Sequence, residues 1–266
     1  MITVLGDIHG HFDKLVRLLL EGGWVDEEMT WSGGDARLWF LGDYFDRGPD
    51  GGAVVHLIMT LQAQAAAAGG HVGALLGNHE LQLLAALQLG DAKTSEPGGT
   101  YYKVWKRNGG KQSDFDRLTL SQREWLLDLP AMAVDGDRLL LHADNFLYTE
   151  YGKDIETVNA AFHALLRSTD TQAWDAAIKG FSARNVFRDE EDGVANALRM
   201  LGTYGGEQIV HGHSPISKII NKRPPKVTEA LVYCDQLCVN VDHGLYLGGH
   251  GFLTDLAPDP DRVIAV

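Results

Sequence analysis

The 266-residue sequence lacks a long hydrophobic run, an excess of positive charge and more than two cysteines. The Ala-rich segment from Leu61 to Ala68 contains Gln62 and Gln64 and is far shorter than the roughly 20 apolar residues that span a bilayer as a helix. Lys and Arg number 23 against 36 Asp and Glu, a formal net charge of −13, whereas nucleic-acid binders usually carry a basic surface. These absences argue against a membrane partner and against a nucleic-acid partner.

The N-terminal residues bear on the location of the protein, and its two cysteines bear on disulfide and metal binding. Met1 to Leu5 continues directly into Gly6-Asp7, with no charged leader followed by an apolar signal core, so we expect a cytoplasmic protein. Cys234 and Cys238 form an isolated C-x3-C pattern. This pattern is compatible with a disulfide or half of a metal site, but buried free thiols are its more common origin.

The first third of the chain repeats one unit, in which a short apolar run ends in a Gly-Asp or Gly-Asn turn and a helical pattern follows. This order is typical of parallel strands connected by helices, and with 45% apolar residues it predicts an α/β domain. The predicted strands are 2–5, 38–41 and 72–76, and the predicted helices are 13–21, 52–68 and 81–89.

The remainder of the chain has a weaker pattern, and we treat residues 1–266 as a single domain. Residues 90–120 predict a surface excursion, and residues 150–202 predict a helical insertion. Between them, Ser121 to Glu124 matches a capping box that begins a short helix, and residues 134–138 predict a hairpin turn. From residue 208 onwards, short apolar runs that include 245–247, 252–255 and 263–265 predict a second, largely antiparallel sheet.

Residues with metal-binding side chains follow each of the three predicted parallel strands. The carboxyl ends of neighbouring parallel strands line one crevice, so these residues should lie close together although they are distant in sequence. The three segments read Gly6-Asp-Ile-His-Gly10, Gly42-Asp-Tyr-Phe-Asp-Arg-Gly48 and Gly77-Asn-His-Glu80. Asp, His and Asn supply oxygen and nitrogen ligands, so we predict a metal site there. In so acidic a chain, bound cations would also be the main local source of positive charge.

These three segments resemble the signature blocks of the calcineurin-like metallophosphoesterases, within the phosphoprotein phosphatase superfamily. The resemblance continues through Leu139-Leu-Leu-His-Ala143, Ile209-Val-His-Gly-His213 and Val239-Asn-Val-Asp242. It is strongest to bacterial serine/threonine phosphatases and to the diadenosine tetraphosphatase branch. The resemblance implies a four-layer αββα sandwich with two mixed β-sheets and a dimetal site at the strand ends.

The resemblance also implies a set of metal ligands and a reaction. One divalent ion would be held by Asp7, His9 and Asp43, and a second by Asp43, Asn78, His142 and His213. A hydroxide bridging two such ions is nucleophilic near neutral pH and would attack phosphorus directly. Manganese is the expected metal, with iron, zinc and cobalt compatible with the same ligands.

Four further residues have roles implied by the family. His79 would protonate the leaving oxygen, Asp46 would orient its imidazole, and Arg47 would clamp the phosphoryl oxygens. Asn185-Val-Phe-Arg188 is similar to the segment that supplies a second substrate-binding arginine, so Arg188 is preferred to Arg184 in that role. Asp144 departs from the family pattern, because glycine is usual at its position.

We therefore expect a phosphomonoesterase, most consistent with a serine/threonine protein phosphatase acting on phosphorylated protein or a small phosphorylated substrate. A bis(5′-nucleosyl)-tetraphosphatase is the alternative, and Tyr101, Tyr102 and Trp105 are the candidates to stack a base in that case. A non-catalytic, metal-binding scaffold is a minor alternative. Oligomeric state cannot be read from the sequence.

Overall fold

The computed structural model describes residues 1–257, and its strands form two mixed sheets. The predicted strand 263–265 lies outside the described residues. The strands are β1 (Ile2–Leu5), β2 (Arg37–Phe40), β3 (His71–Ala74), β4 (Met132–Asp135), β5 (Arg138–Leu141), β6 (Gln208–His211), β7 (Leu231–Tyr233), β8 (Cys238–Asn240) and β9 (Thr254–Leu256). The first sheet has the order β3-β2-β1-β9, and the second has the order β4-β5-β6-β8-β7.

Helices connect these strands and cover the sheets. They are α1 (Phe12–Glu21), α2 (Gly51–Ala67), α3 (Asn78–Leu89), α4 (Tyr101–Arg107), α5 (Gln112–Arg117), α6 (Leu120–Leu127), α7 (Ile155–Leu166), α8 (Thr171–Phe181), α9 (Gly193–Tyr204) and α10 (Ile216–Ile219). Short 3₁₀ helices lie at Leu147–Glu150, Val186–Arg188, Pro224–Lys226 and Leu245–Leu247. None of the helices in residues 1–257 is long and apolar enough to cross a membrane.

Alternating side chains divide the core into two parts, as the period of two in a β-strand requires. Val4 and Leu41 from the first sheet meet Leu140 and Val210 from the second, and these residues form the layer between the sheets. The intervening residues, such as Phe40, pack into the larger cluster that includes the helices. The predicted α/β fold with two mixed sheets is therefore confirmed.

The strand directions in the second sheet differ from those expected from its short apolar runs. Its central strands β5, β6 and β8 are parallel, and only the outer pairs β4-β5 and β7-β8 are antiparallel. The prediction of a largely antiparallel sheet was wrong, because helices in the 150–202 region and after β6 return the chain to the same edge. Strand β9, expected in that sheet, instead pairs antiparallel with β1 in the first sheet.

Three local predictions also need correction. The capping box begins at Thr119, whose hydroxyl accepts from Gln122 N at 3.2 Å, rather than at Ser121. Residues 245–247 form a 3₁₀ turn between two left-handed glycines, Gly244 and Gly248, and not a strand. Residues 90–120 contain helices α4 and α5 and bury Trp105 completely, so this segment contributes to the core and is not only a surface excursion.

Candidate metal centre

Six of the predicted site residues converge at the carboxyl ends of strands from both sheets. Asp7 and His9 follow β1, Asp43 follows β2, and Asn78 begins α3 immediately after β3. His142 follows β5 and His213 follows β6, so the second sheet contributes its ligands from the same end. All six side chains are buried, with at most 5% of any residue exposed.

Strained backbone brings several of these side chains inward. Five predicted site residues have positive φ angles, namely His9 (48°), Asp43 (56°), Asp46 (68°), Arg47 (63°) and His213 (66°). Residues other than glycine rarely adopt this conformation, which costs about 1–3 kcal/mol each and is concentrated at functional sites. Gly42 is required beside them, because a Cβ there would lie 2.8 Å from His142 Nδ1.

One group of ligand atoms surrounds Asn78. Asn78 Oδ1 lies 3.0 Å from His142 Nε2 and 2.9 Å from His213 Nδ1. Asp43 Oδ1 is 3.3 Å from His142 Nε2. Asp43, His142 and His213 can all place one ligand atom within 4.8 Å of the others. These atoms are close enough to share one cation.

A second group lies on the other side of Asp43. Asp43 Oδ2 is 3.5 Å from His9 Nε2, and Asp7 Oδ2 is 4.0 Å from the same nitrogen. His9, Asp43 and His79 form the corresponding set of ligand atoms within 4.8 Å of one another. Asp43 therefore directs one carboxylate oxygen to each group, as a residue that bridges two cations must.

Hydrogen bonds on the far side of each imidazole determine which nitrogen faces the centre. Nδ1 of His9 lies 2.9 Å from the Phe45 carbonyl, and Nδ1 of His142 lies 2.8 Å from the Leu41 carbonyl. Nε2 of His213 lies 3.3 Å from the Ser182 carbonyl. A carbonyl can only accept, so each of these nitrogens carries the hydrogen and the other nitrogen presents a lone pair. That is the arrangement a metal ligand needs.

Burial without a cation is unfavourable for the carboxylates of this centre. Desolvation, followed by repulsion from Asp43, raises the pKa of Asp7 from 3.8 to about 6, and desolvation also raises the pKa of Asp43. A carboxyl group whose pKa is higher in the folded than in the unfolded protein stabilises the fold at pH values below its unfolded pKa. This stabilisation is lost as the pH rises through the pKa of the folded state. The ionised Asp7 carboxylate is therefore unfavourable at neutral pH, and a divalent cation would offset this effect, so the residues fit a metal.

His79, Asp46 and Trp105 form a chain beside the ligands. His79 Nδ1 lies 2.7 Å from Asp46 Oδ2, and Trp105 Nε1 donates to Asp46 Oδ1 at 2.9 Å. Burial raises the pKa of Asp46 to about 7 and lowers the pKa of His79 to about 4. The hydrogen bond to Asp46 leaves His79 Nε2 directed away from Asp46 toward the centre.

Arg47 reaches the same place from the β2 loop. Its Nη1 lies 2.8 Å from His9 Nε2, and its Nη2 lies 2.8 Å from His79 Nε2. The guanidinium also stacks on Tyr246, at 4.1 Å from the ring centroid. A cation bound through His9 Nε2 requires Arg47 to release that nitrogen, which frees its donors for a phosphoryl oxygen.

Arg188 is not brought to the ligand cluster. It is exposed, and its Nη1 donates to Asn185 Oδ1 at 3.0 Å in a separate pocket. The charge of Arg184, in contrast, contributes to lowering the pKa of His79, His142 and His213. The choice between Arg184 and Arg188 as the second substrate-binding arginine stays a prediction. Local pattern does not separate the two arginines, because both lie in one irregular segment.

Asp144, the departure from the family pattern, points away from the ligands. Its carboxylate is fully buried, and Oδ2 accepts from Asn185 N at 2.7 Å while Oδ1 lies 3.4 Å from Ser214 Oγ. This side chain therefore ties the segment after α8 to the loop that carries His213.

Two residues that support the centre were not predicted. Buried Glu80 accepts from the backbone N–H groups of Asp43, Tyr44 and Gly77 at 2.7–3.0 Å, and so fixes the two loops that carry ligands. Its position directly after Asn78-His79 was the only available signal. Trp105 was considered for base stacking, whereas its indole N–H holds Asp46.

Comparison with known proteins identifies the family. The calcineurin-like phosphoesterase model matches residues 1–251. A serine/threonine-protein phosphatase, C23G10.1 of Caenorhabditis elegans, is 24% identical over 81% of this chain and 43% of its own length. The symmetrical bis(5′-nucleosyl)-tetraphosphatase of Buchnera aphidicola is 28% identical over 58% of this chain and 49% of its own length.

A solved structure has the same fold. The cold-active protein-tyrosine phosphatase of a psychrophilic Shewanella species superimposes with a TM-score of 0.69 at 22% identity, covering 95% of this chain and 73% of its own. The chain spans less than half the length of the two curated relatives described above. The match to the family model, which covers nearly all of the sequence, shows that the chain belongs to the calcineurin-like phosphoesterase family.

Proposed function

We propose that this chain is a metal-dependent phosphomonoesterase that acts on phosphorylated serine or threonine in proteins. The observation that carries the proposal is the position of Asp43, whose two carboxylate oxygens face two separate groups of buried ligand atoms. Asp7 and His9 would hold one divalent cation with Asp43. Asn78, His142 and His213 would hold the other, and manganese is the proposed metal. When bound, such a pair activates water for attack on phosphorus and neutralises phosphoryl charge.

The side chains around the ligands would carry out the remaining steps. Arg47 would bind phosphoryl oxygens through its two terminal nitrogens, which already point into the centre. Once Arg47 has turned from His79 Nε2 to the phosphoryl group, this nitrogen would take up a proton from solvent and deliver it to the leaving oxygen, while Asp46 holds Nδ1. Trp105 keeps Asp46 in place through the indole N–H.

The positions of the aromatic residues favour a phosphoprotein over a dinucleotide. Trp105 is fully buried, and Tyr101 is 1% exposed with its hydroxyl donating to the Thr171 carbonyl, so neither can stack on a base. A groove of about 480 Å³ lies next to the centre between α4 and α8, and the residues lining it include no aromatic side chain. Val104, Asn108 and Lys179 in this groove present a mixed surface that suits an extended peptide.

The test uses Mn-loaded protein and measures phosphate release from a phosphoserine peptide and from a phosphotyrosine peptide of the same sequence. With diadenosine tetraphosphate it measures the nucleotides formed, because cleavage of that substrate releases no free phosphate. We expect the phosphoserine peptide to be hydrolysed with a kcat/KM at least about tenfold above that of the tetraphosphate, since neither Trp105 nor Tyr101 can stack on its bases. Faster cleavage of the tetraphosphate would favour the alternative function. Absence of turnover on all three substrates with metal bound would favour a non-catalytic scaffold.

A further inference from the structure

A cationic pocket lies beside the metal centre and has no role in the chemistry proposed above. Its volume is about 200 Å³, and Arg184, Arg188 and Lys218 line it together with the polar residues Asn185 and Ser214. None of its lining residues is acidic. In a chain with a net charge of −13, three cations around one small cavity require an explanation.

Among residues 1–257, no carboxylate forms a salt bridge with the three cations of the pocket. Within the same described residues, the Arg188 guanidinium hydrogen-bonds only to the neutral amide of Asn185. Asp189, the nearest acid in sequence, instead accepts from the backbone N–H groups of Glu191 and Asp192. The three cations are therefore available to an anion from solution.

Asp144 hydrogen-bonds to two of the residues that line the pocket and holds them in place. Its buried carboxylate accepts from Asn185 N at 2.7 Å and lies 3.4 Å from Ser214 Oγ, and its backbone carbonyl accepts from Val186 N at 3.1 Å. Both side-chain contacts are to residues that line the pocket.

The pocket adjoins the metal centre through two short connections. Ser214 directly follows the candidate ligand His213, and Arg184 is two residues beyond Ser182, whose carbonyl lies 3.3 Å from His213 Nε2. A ligand that occupies the pocket therefore contacts the two segments that carry and support the candidate ligand His213.

We propose that this pocket binds a second phosphoryl group of the substrate while the first is held at the metal centre. This inference rests on the proposed function and specifies its substrate as a molecule with two phosphoryl groups close together. A peptide with two neighbouring phosphorylated residues and a linear polyphosphate both present that chemistry. Arginine forks and a lysine ammonium recognise phosphate oxygens through charge-assisted hydrogen bonds.

The test replaces Lys218 with glutamine and compares singly and doubly phosphorylated peptides of one sequence on the Mn-loaded protein. Loss of one charge-assisted contact should raise KM for the doubly phosphorylated peptide about tenfold and leave its kcat unchanged. Both kcat and KM for the singly phosphorylated peptide should stay the same. Lys222→Gln, four residues further on and outside the pocket, is the matched control. An unchanged KM for the doubly phosphorylated peptide in Lys218→Gln would overturn the proposal.

Two further arms separate the possible outcomes. Inhibition by inorganic tripolyphosphate distinguishes a polyphosphate ligand from a peptide ligand. If Lys218→Gln weakens the binding of both tripolyphosphate and the doubly phosphorylated peptide, the pocket recognises phosphate in general. If it weakens the binding of the peptide alone, the substrate is a peptide. If neither peptide is hydrolysed, the proposed function fails. Calorimetry with the doubly phosphorylated peptide then still tests the pocket, since its Kd should be about tenfold higher for Lys218→Gln than for Lys222→Gln.

Discussion

Replacement of Asp43 by asparagine is expected to lower metal-dependent phosphate release by about a thousandfold or more. Asp43 directs Oδ1 toward His142 and Oδ2 toward His9, so the loss of one anionic oxygen weakens both groups of ligands together. The loss of several kcal/mol of charge stabilisation corresponds to about that factor in rate. The measurement is kcat on p-nitrophenyl phosphate at saturating manganese, with metal content determined in parallel.

The matched control for this substitution is Asp50→Asn. Asp50 is exposed and caps α2 by accepting from Ala53 N at 2.9 Å, a role that asparagine fills about equally well. This variant should keep wild-type activity and metal content. If Asp43→Asn retained more than about a tenth of the wild-type rate, the bridging role of Asp43 would be refuted.

His79→Asn should lower kcat on a phosphoserine peptide by about 10²–10⁴-fold while leaving metal content unchanged. The reason is that His79 would supply the proton to a poor leaving group, and Asp46 at 2.7 Å keeps the imidazole oriented for that transfer. With p-nitrophenyl phosphate the loss should be much smaller, because nitrophenolate leaves without protonation. The comparison of the two substrates is the measurement.

The control for His79 is His56→Asn, on the exposed surface of α2, which should behave as wild type on both substrates. An equal loss on the phosphopeptide and on p-nitrophenyl phosphate would instead indicate that His79 supports the structure. A loss of bound metal would point to His79 as a ligand, since His9, Asp43 and His79 also lie within ligand distance of one another.

The convergence of the ligands could be predicted from sequence because it follows from strand direction. Asp7, Asp43 and Asn78 each follow a strand of the same parallel set, and the carboxyl ends of such strands meet at one edge. The contribution of the second sheet could not be derived in this way. His142 and His213 reach the same edge because β5 and β6 are parallel, which short apolar runs separated by turns do not reveal.

The interactions around the ligands also could not be predicted from the sequence. Trp105 was a candidate for stacking a base, but its indole is buried against Asp46, a contact between residues 59 positions apart. Arg188 lies in an irregular segment that the positive φ of 75° at Asn185 and the hydrogen bond to Asp144 direct toward a separate pocket. Side-chain direction in irregular segments depends on such tertiary contacts and not on local pattern.

The metal content of the purified protein, measured against its phosphatase activity, tests the dinuclear centre most directly. Manganese is added in steps to chelator-treated protein, and bound metal per chain is determined by elemental analysis alongside phosphate release. We predict that activity rises with metal and saturates at two ions per chain, because Asp43 serves both groups of ligands. Full activity in the metal-free protein, or saturation at a single ion, would contradict the dinuclear centre.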